Sequence, residues 1–403
     1  MTHAEQHVEA RVEPRAGLPD DFRCIDGVRA IAALMIVVYH AAFFASLRVS
    51  ATSPAVMNTT GGAFLARLNS GVWVFFVVSG FLLYRPFAAA HQGDRGGVRV
   101  GAYAVRRIAR IYPAYWLVLA FFTFVIPRAV ITGVDEFFSH STLTFTYLHF
   151  RTNPFLIGLP PAWSLVVEVS FYAFLPLYAW LMGKLVRGGV PLRVELLGIA
   201  SLLCIGAGAW CAIAAGYEPP WIDVLPKYIA SFALGMLLAV LMTTGGASTI
   251  KAALHWGGSR AWLCWASAAI VFVGMRSLIG ARLDAHGAFE FIGLNLLQTV
   301  FGFLIVLPAV FGTGEQSVIR AFLRHRVVAF LGIVSYGIYL WHWFLLKVVL
   351  DDWLHQREGH AHWVALLAAT VPLVIAAATI SWYALERPIL RAARRTTRET
   401  VRA

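Results

Sequence analysis

The chain has 403 residues, of which 59% are apolar and 13% charged, about half the charged share of an average soluble protein. That composition excludes an ordinary soluble enzyme, and apolar residues gathered into runs of about 20 specify a membrane domain instead. The formal charge of +12 suggests nucleic acid only if the positive residues form a patch, and here they are spread between apolar runs.

Residues 1–24 are polar and mixed in charge and read as a cytoplasmic N-terminal arm. The first long apolar stretch, 28–47, exceeds a signal-peptide core and is an anchor. Scanning with a window of about 19 residues finds further runs at 71–87, 111–130, 164–183, 195–215, 226–243, 261–279, 290–311, 328–350 and 362–384. Runs this continuous are too long for barrel strands of about ten residues, which leaves helices to satisfy the backbone in lipid. The predicted fold is all-α, a polytopic membrane helix bundle of about ten transmembrane helices. One membrane domain covers 25–386 and a basic cytoplasmic tail covers 387–403. Cys24, Cys204, Cys211 and Cys264 show neither metal spacing nor a paired framework and read as packing residues.

Charge tests this arrangement independently. The N-terminal arm, the loops after spans two, four, six and eight, and the tail hold 23 of the 33 Lys and Arg, against 9 in the opposite loops. The asymmetry predicts a multi-pass cell-membrane protein with both termini cytoplasmic, and it accounts for the basic balance without nucleic acid. The stretch 137–159 contains His140, His149, Arg151 and Asn153, each costly at mid-bilayer depth, and reads as an external loop.

Ionisable residues inside spans are expensive and point to function or pairing. These are Arg29 and His40 in span one, Glu168 in span four and His342 in span nine, with Arg107 and Arg110 at the mouth of span three. Arg29 and His40 are eleven residues apart, about 20° past three full helical turns, so they share a face about 16 Å apart along the axis. That reach suits an extended anionic thioester such as coenzyme A; a snorkelling arginine and a packing histidine are the plain alternatives. Arg107 and Arg110 lie on one face and form a basic cluster with Arg85, which suits phosphates or the positive-inside pattern alone. Depth counting sets His40, Glu168 and His342 in one outer-half layer, either as a base with an orienting partner or as polar ties between helices.

Six elements follow in order: IDGVRAIAALMIVVYH (25–40), GVWVFFVVSGFLLYRPF (71–87), RRIARIYPAYW (106–116), PAWSLVVEVSFY (161–172), LGIVSYGIYLWHW (331–343) and LERP (385–388). Together they resemble the acyltransferase 3 family of integral-membrane O-acyltransferases, which acylate sugars in surface polysaccharides, glycolipids and some antibiotics. The resemblance implies acyl-CoA, acetyl-CoA above all, drawn from the cytoplasm as a substrate rather than a bound cofactor, and a sugar-containing acceptor beyond the membrane. It implies His40 as the principal catalytic residue, Arg29 as its motif partner, Arg107 and Arg110 as donor-binding residues, and Glu168 in a Trp-Ser-Leu-x-x-Glu pattern. No hydrolase-like domain is expected after the last span, and no metal is called for.

The expected chemistry is acyl transfer with His40 as general base, oriented by Glu168, or as transient acyl carrier. Arg29, Arg85, Arg107 and Arg110 are expected to hold the donor, with Trp163, Ser164, Tyr336 and His342 on the acceptor or supporting side. The rival is a polytopic transporter in which His40, Glu168 and His342 relay protons; ordinary spans without Gly/Pro-broken helices speak against it.

Overall fold

The computed structural model describes residues 20–47, 60–93, 97–127, 131, 133–144, 159–186, 191–245, 249–279, 287–312, 317–353 and 362–402, and every regular element among them is helical. Most of the N-terminal arm and His149, Arg151 and Asn153 lie outside the described residues. In chain order the helices are α1 (Asp20–Leu47), α2 (Thr60–Arg67), α3 (Gly71–His91), α4 (Val100–Ala120), α5 (Val134–Ser141), α6 (Trp163–Val186), α7 (Pro191–Ala214) and α8 (Leu225–Thr243). They continue as α9 (Thr249–Ser259), α10 (Ala261–Ile279), α11 (Ala288–Phe311), α12 (Val318–Arg324), α13 (Arg326–Ile333), α14 (Ser335–Val348), α15 (His362–Ser381) and α16 (Arg387–Arg402).

Nine helical segments among the described residues are long and apolar enough to cross a membrane, and the bent pair α13 and α14 makes a tenth candidate. The chain is therefore a multi-pass helical bundle. Three boundaries differ from the hydropathy reading. The ninth span is not one helix: its two parts meet at 71°, at Val334, whose backbone (φ −91°, ψ 5°) leaves the helical well. Two residues earlier, Gly332 packs so closely on the Asp26 backbone of α1 that an added Cβ would collide with the carbonyl of Asp26. Span three starts at Val100, so Arg107 and Arg110 sit within the helix rather than at its mouth. The last span runs on through a wide turn at Trp382–Glu386 into α16, with no break at 387.

The bundle centres on α3, which is pressed against α8. A Cβ on Gly80 would strike the Phe232 carbonyl and one on Gly235 the Val77 carbonyl, so small residues let the two backbones meet, as in other membrane helix pairs. Phe76, Phe232 and Phe171 then stack across α3, α8 and α6, with centroids 4.8 and 4.0 Å apart. Outward residues such as Trp262, Ile270 and Leu177 are exposed and apolar, as lipid-facing positions require.

Candidate active site

Two clusters of polar residues sit inside the apolar bundle, and α1 carries a member of each. At one, the Nε2 of fully buried His342 lies 2.9 Å from His40 Nδ1. His342 Nδ1 lies 2.6 Å from the Tyr339 carbonyl oxygen. The half-buried His40 ring is flanked edge-on by Tyr39 and Trp343, at centroid distances of 4.7 and 5.0 Å. Both histidines come from helices whose other faces are packed, α1 on α13 and α14 on α15, which holds the rings in register.

The second cluster lines a cavity of about 140 Å³ between α1, α3, α4, α6 and α14. Arg29, Arg107, Arg110 and Glu168 all line it. Glu168 accepts hydrogen bonds from Ser79 (2.9 Å) and Tyr172 (2.7 Å). Two of the three guanidinium groups have carboxylates behind them: Arg29 Nη1 lies 3.4 Å from Asp26 Oδ1, and Arg110 Nη1 lies 3.4 Å from Glu386 Oε2. Arg110 is also stacked between Tyr336 and Trp382, 5.4 and 5.7 Å from their centroids. Arg107 differs. It lies near the rings of Tyr103 and Tyr172, and its Nε is buried with no hydrogen-bond partner. A buried, unsatisfied guanidinium donor in a cavity with three positive side chains and one carboxylate favours an anion.

Tyr339 also lines the cavity. Its hydroxyl donates to the Pro161 carbonyl and lies 2.8 Å from Ser164 Oγ, while its ring centroid is 5.6 Å from that of His342. This one side chain therefore touches both clusters, and neither His40 nor His342 lines the cavity.

The sequence expectations are met unevenly. His40 and His342 come together, and so do Arg29, Arg107, Arg110, Ser164 and Tyr336. Glu168 stands with the arginines, and its partners are Ser79 and Tyr172 rather than His40. Depth along a helix fixes a layer but not the direction a side chain takes within it, and the side chain that meets His40 is His342. Arg85 is half-buried and does not line the cavity. Trp163 packs on Tyr228, at 5.3 Å, and does not line it either. Tyr336 reaches the Ile111 carbonyl at 2.8 Å, tying α14 to α4.

Sequence reasoning missed Tyr339, Asp26 and Glu386. All three lie inside quoted elements, and for Asp26 and Glu386 an acid beside an apolar run is a signal that would have found them. It also missed Glu195, fully buried at the start of α7, which accepts from Tyr84 and His91, each at 2.5 Å. This tie holds α3 to α7 away from both clusters.

A family model described as Acyltransferase domain, the acyltransferase 3 model, matches residues 22–382. Among curated proteins, the peptidoglycan O-acetyltransferase OatA of Listeria monocytogenes is 24% identical over 91% of this chain and 55% of its own length. Nodulation protein 10 of Rhizobium leguminosarum is 24% identical over 80% of this chain and 82% of its own. A Bacillus subtilis relative, also 24% identical, is covered to 54%. The chain thus spans about half the length of the Listeria and Bacillus proteins. No solved structure matches it.

Proposed function

The chain belongs to the acyltransferase 3 family, and we propose that it moves an acyl group, acetyl in the first instance, from coenzyme A to a hydroxyl of a sugar-containing acceptor. The observation that carries this reading is the meeting of Arg29, Arg107 and Arg110 in one cavity, one of whose lining residues, Tyr339, touches the ring that partners His40. The arginines receive the anionic part of the donor, Arg107 foremost because its Nε has no partner. Ordinary ligand pockets enclose about 300 Å³ or more, so the cavity of about 140 Å³ takes one anionic group and part of the arm and must widen for the rest. His40 then acts on the acyl end, as base toward the acceptor hydroxyl or as transient acyl carrier. The positive-inside count supports cytoplasmic termini and donor entry from that side. The relative named as a peptidoglycan O-acetyltransferase makes peptidoglycan glycan strands the first acceptor to try.

Membrane vesicles carrying the chain are incubated with radiolabelled acetyl-CoA and those strands. Base-labile label in the glycan, lost with His40→Gln, is the expected result; label transfer to no hydroxyl acceptor in a panel of glycans and glycolipids refutes the reading. The bend in the ninth span is a feature that transporters also show. Acceptor flux that needs no acyl-CoA would favour that alternative.

A further inference from the structure

The contact between the two histidines specifies where their protons sit. A carbonyl oxygen only accepts, so the 2.6 Å contact to Tyr339 puts a proton on His342 Nδ1. His342 is fully buried, with no carboxylate among its described hydrogen-bond partners, and an uncompensated charge there is costly. The neutral ring therefore has a lone pair at Nε2, and the 2.9 Å contact is a hydrogen bond only if His40 Nδ1 donates it. His40 Nε2 is then the atom without a proton, on a ring held edge-on by Tyr39 and Trp343.

We propose that His342 is a positioning residue which fixes this tautomer of His40 and so makes Nε2, and not Nδ1, the reactive atom. The inference rests on the acyl-transfer reading. The acceptor O–H gives its proton to His40 Nε2 as the oxygen bonds to the thioester carbonyl carbon. The carbon–sulfur bond then breaks, and the leaving thiolate takes that proton back from Nε2. An ester and a thiol result, the ring returns neutral, and the Nδ1–H of His40 stays hydrogen-bonded to His342 Nε2 throughout. Tyr339 belongs to the same device through its main chain, since its carbonyl sets the His342 proton, whatever its side chain does at the cavity wall.

The test compares His342→Leu with His342→Gln in the full chain, in vesicles supplied with radiolabelled acetyl-CoA and peptidoglycan glycan strands. Leu removes the acceptor for His40 Nδ1–H, whereas Gln can offer a side-chain carbonyl near the same place. Loss of the tautomer is expected to lower kcat by about 10²-fold in the Leu variant, the lower end of general-base effects. Gln is expected to restore at least about tenfold of that loss, with KM for acetyl-CoA held within about twofold in both, because the arginine cavity is untouched. A merely structural role would lower the yield of folded protein instead, without a kcat difference between the two among folded molecules. A folded Leu variant with near-parental kcat, or a Gln variant no better than Leu, overturns the inference. Should Leu not fold, His342→Phe keeps the ring and serves in its place. If the unsubstituted protein transfers nothing, the acyl-transfer reading itself fails, a result distinguishable from either outcome above.

Discussion

Removing Arg110 is predicted to do more harm to the fold than removing Arg107, although both line one cavity. Glu386 is 2% exposed and lies 3.4 Å from Arg110, whose own side chain is 19% exposed. Its other described partner is Ser381, with Oγ at 3.4 Å. Arg110→Ala therefore strands a buried carboxylate, a change that costs about 3–5 kcal/mol where a buried pair is broken. The long contact and partial exposure place the expected loss near the lower end, about 3 kcal/mol. Arg107→Ala strands no carboxylate and removes a donor that was already unsatisfied, so about 1 kcal/mol or less is expected, mostly from lost packing on Tyr103 and Tyr172. Unfolding in mixed detergent micelles measures both. Glu386→Gln in the Arg110→Ala background removes the stranded charge and should recover most of the loss. If Arg110→Ala is as stable as the parent, or Glu386→Gln gives no recovery, the ion pair does not hold α4 to the end of α15.

Other expectations follow from the same geometry. Arg107→Ala should raise KM for acetyl-CoA with little change in kcat, since a contact remote from the reacting carbonyl supplies uniform binding; unchanged donor affinity would remove Arg107 from the donor site. His40→Gln should lower turnover by about 10² to 10⁴ while leaving acetyl-CoA binding intact, and turnover within about threefold of the parent would end the catalytic assignment. Single cysteines placed in the 137–159 loop should react with impermeant reagents from outside the cell, and a cysteine in the 387–403 tail only after the membrane is opened; the reverse pattern would invert the topology taken from the charge count.

Most of the bundle was legible because a transmembrane helix must be continuous and apolar, and hydropathy measures that directly. The break at Val334 was not legible. No proline interrupts 327–350, and the close contact of Gly332 with α1 beside the bend is tertiary. The shared face of Arg29 and His40 could be read from the helical period, and the pairing of Arg107 with Arg110 from their spacing. What these arginines rest on could not, because Glu386 is 276 positions from Arg110 and only packing brings them together. Glu168 shows the limit most clearly: counting residues set it beside the histidines, and the Ser79 and Tyr172 hydroxyls hold it among the arginines.

The Tyr339 side chain, latched to Pro161 and Ser164, stands between the arginine cavity and His342, and its place has an electrical consequence for the proposed reaction. Moving one elementary charge through the membrane field involves about 2.3 kcal/mol per 100 mV. In the proposed reaction the donor's negative phosphates stay with the arginines, its neutral thioester reaches past the ring to His40, and the leaving thiolate is neutralised there by the proton from Nε2. Transfer across this partition would therefore proceed at the same rate in energised and de-energised membranes, and the bilayer would keep its potential while ester bonds are made on its far side.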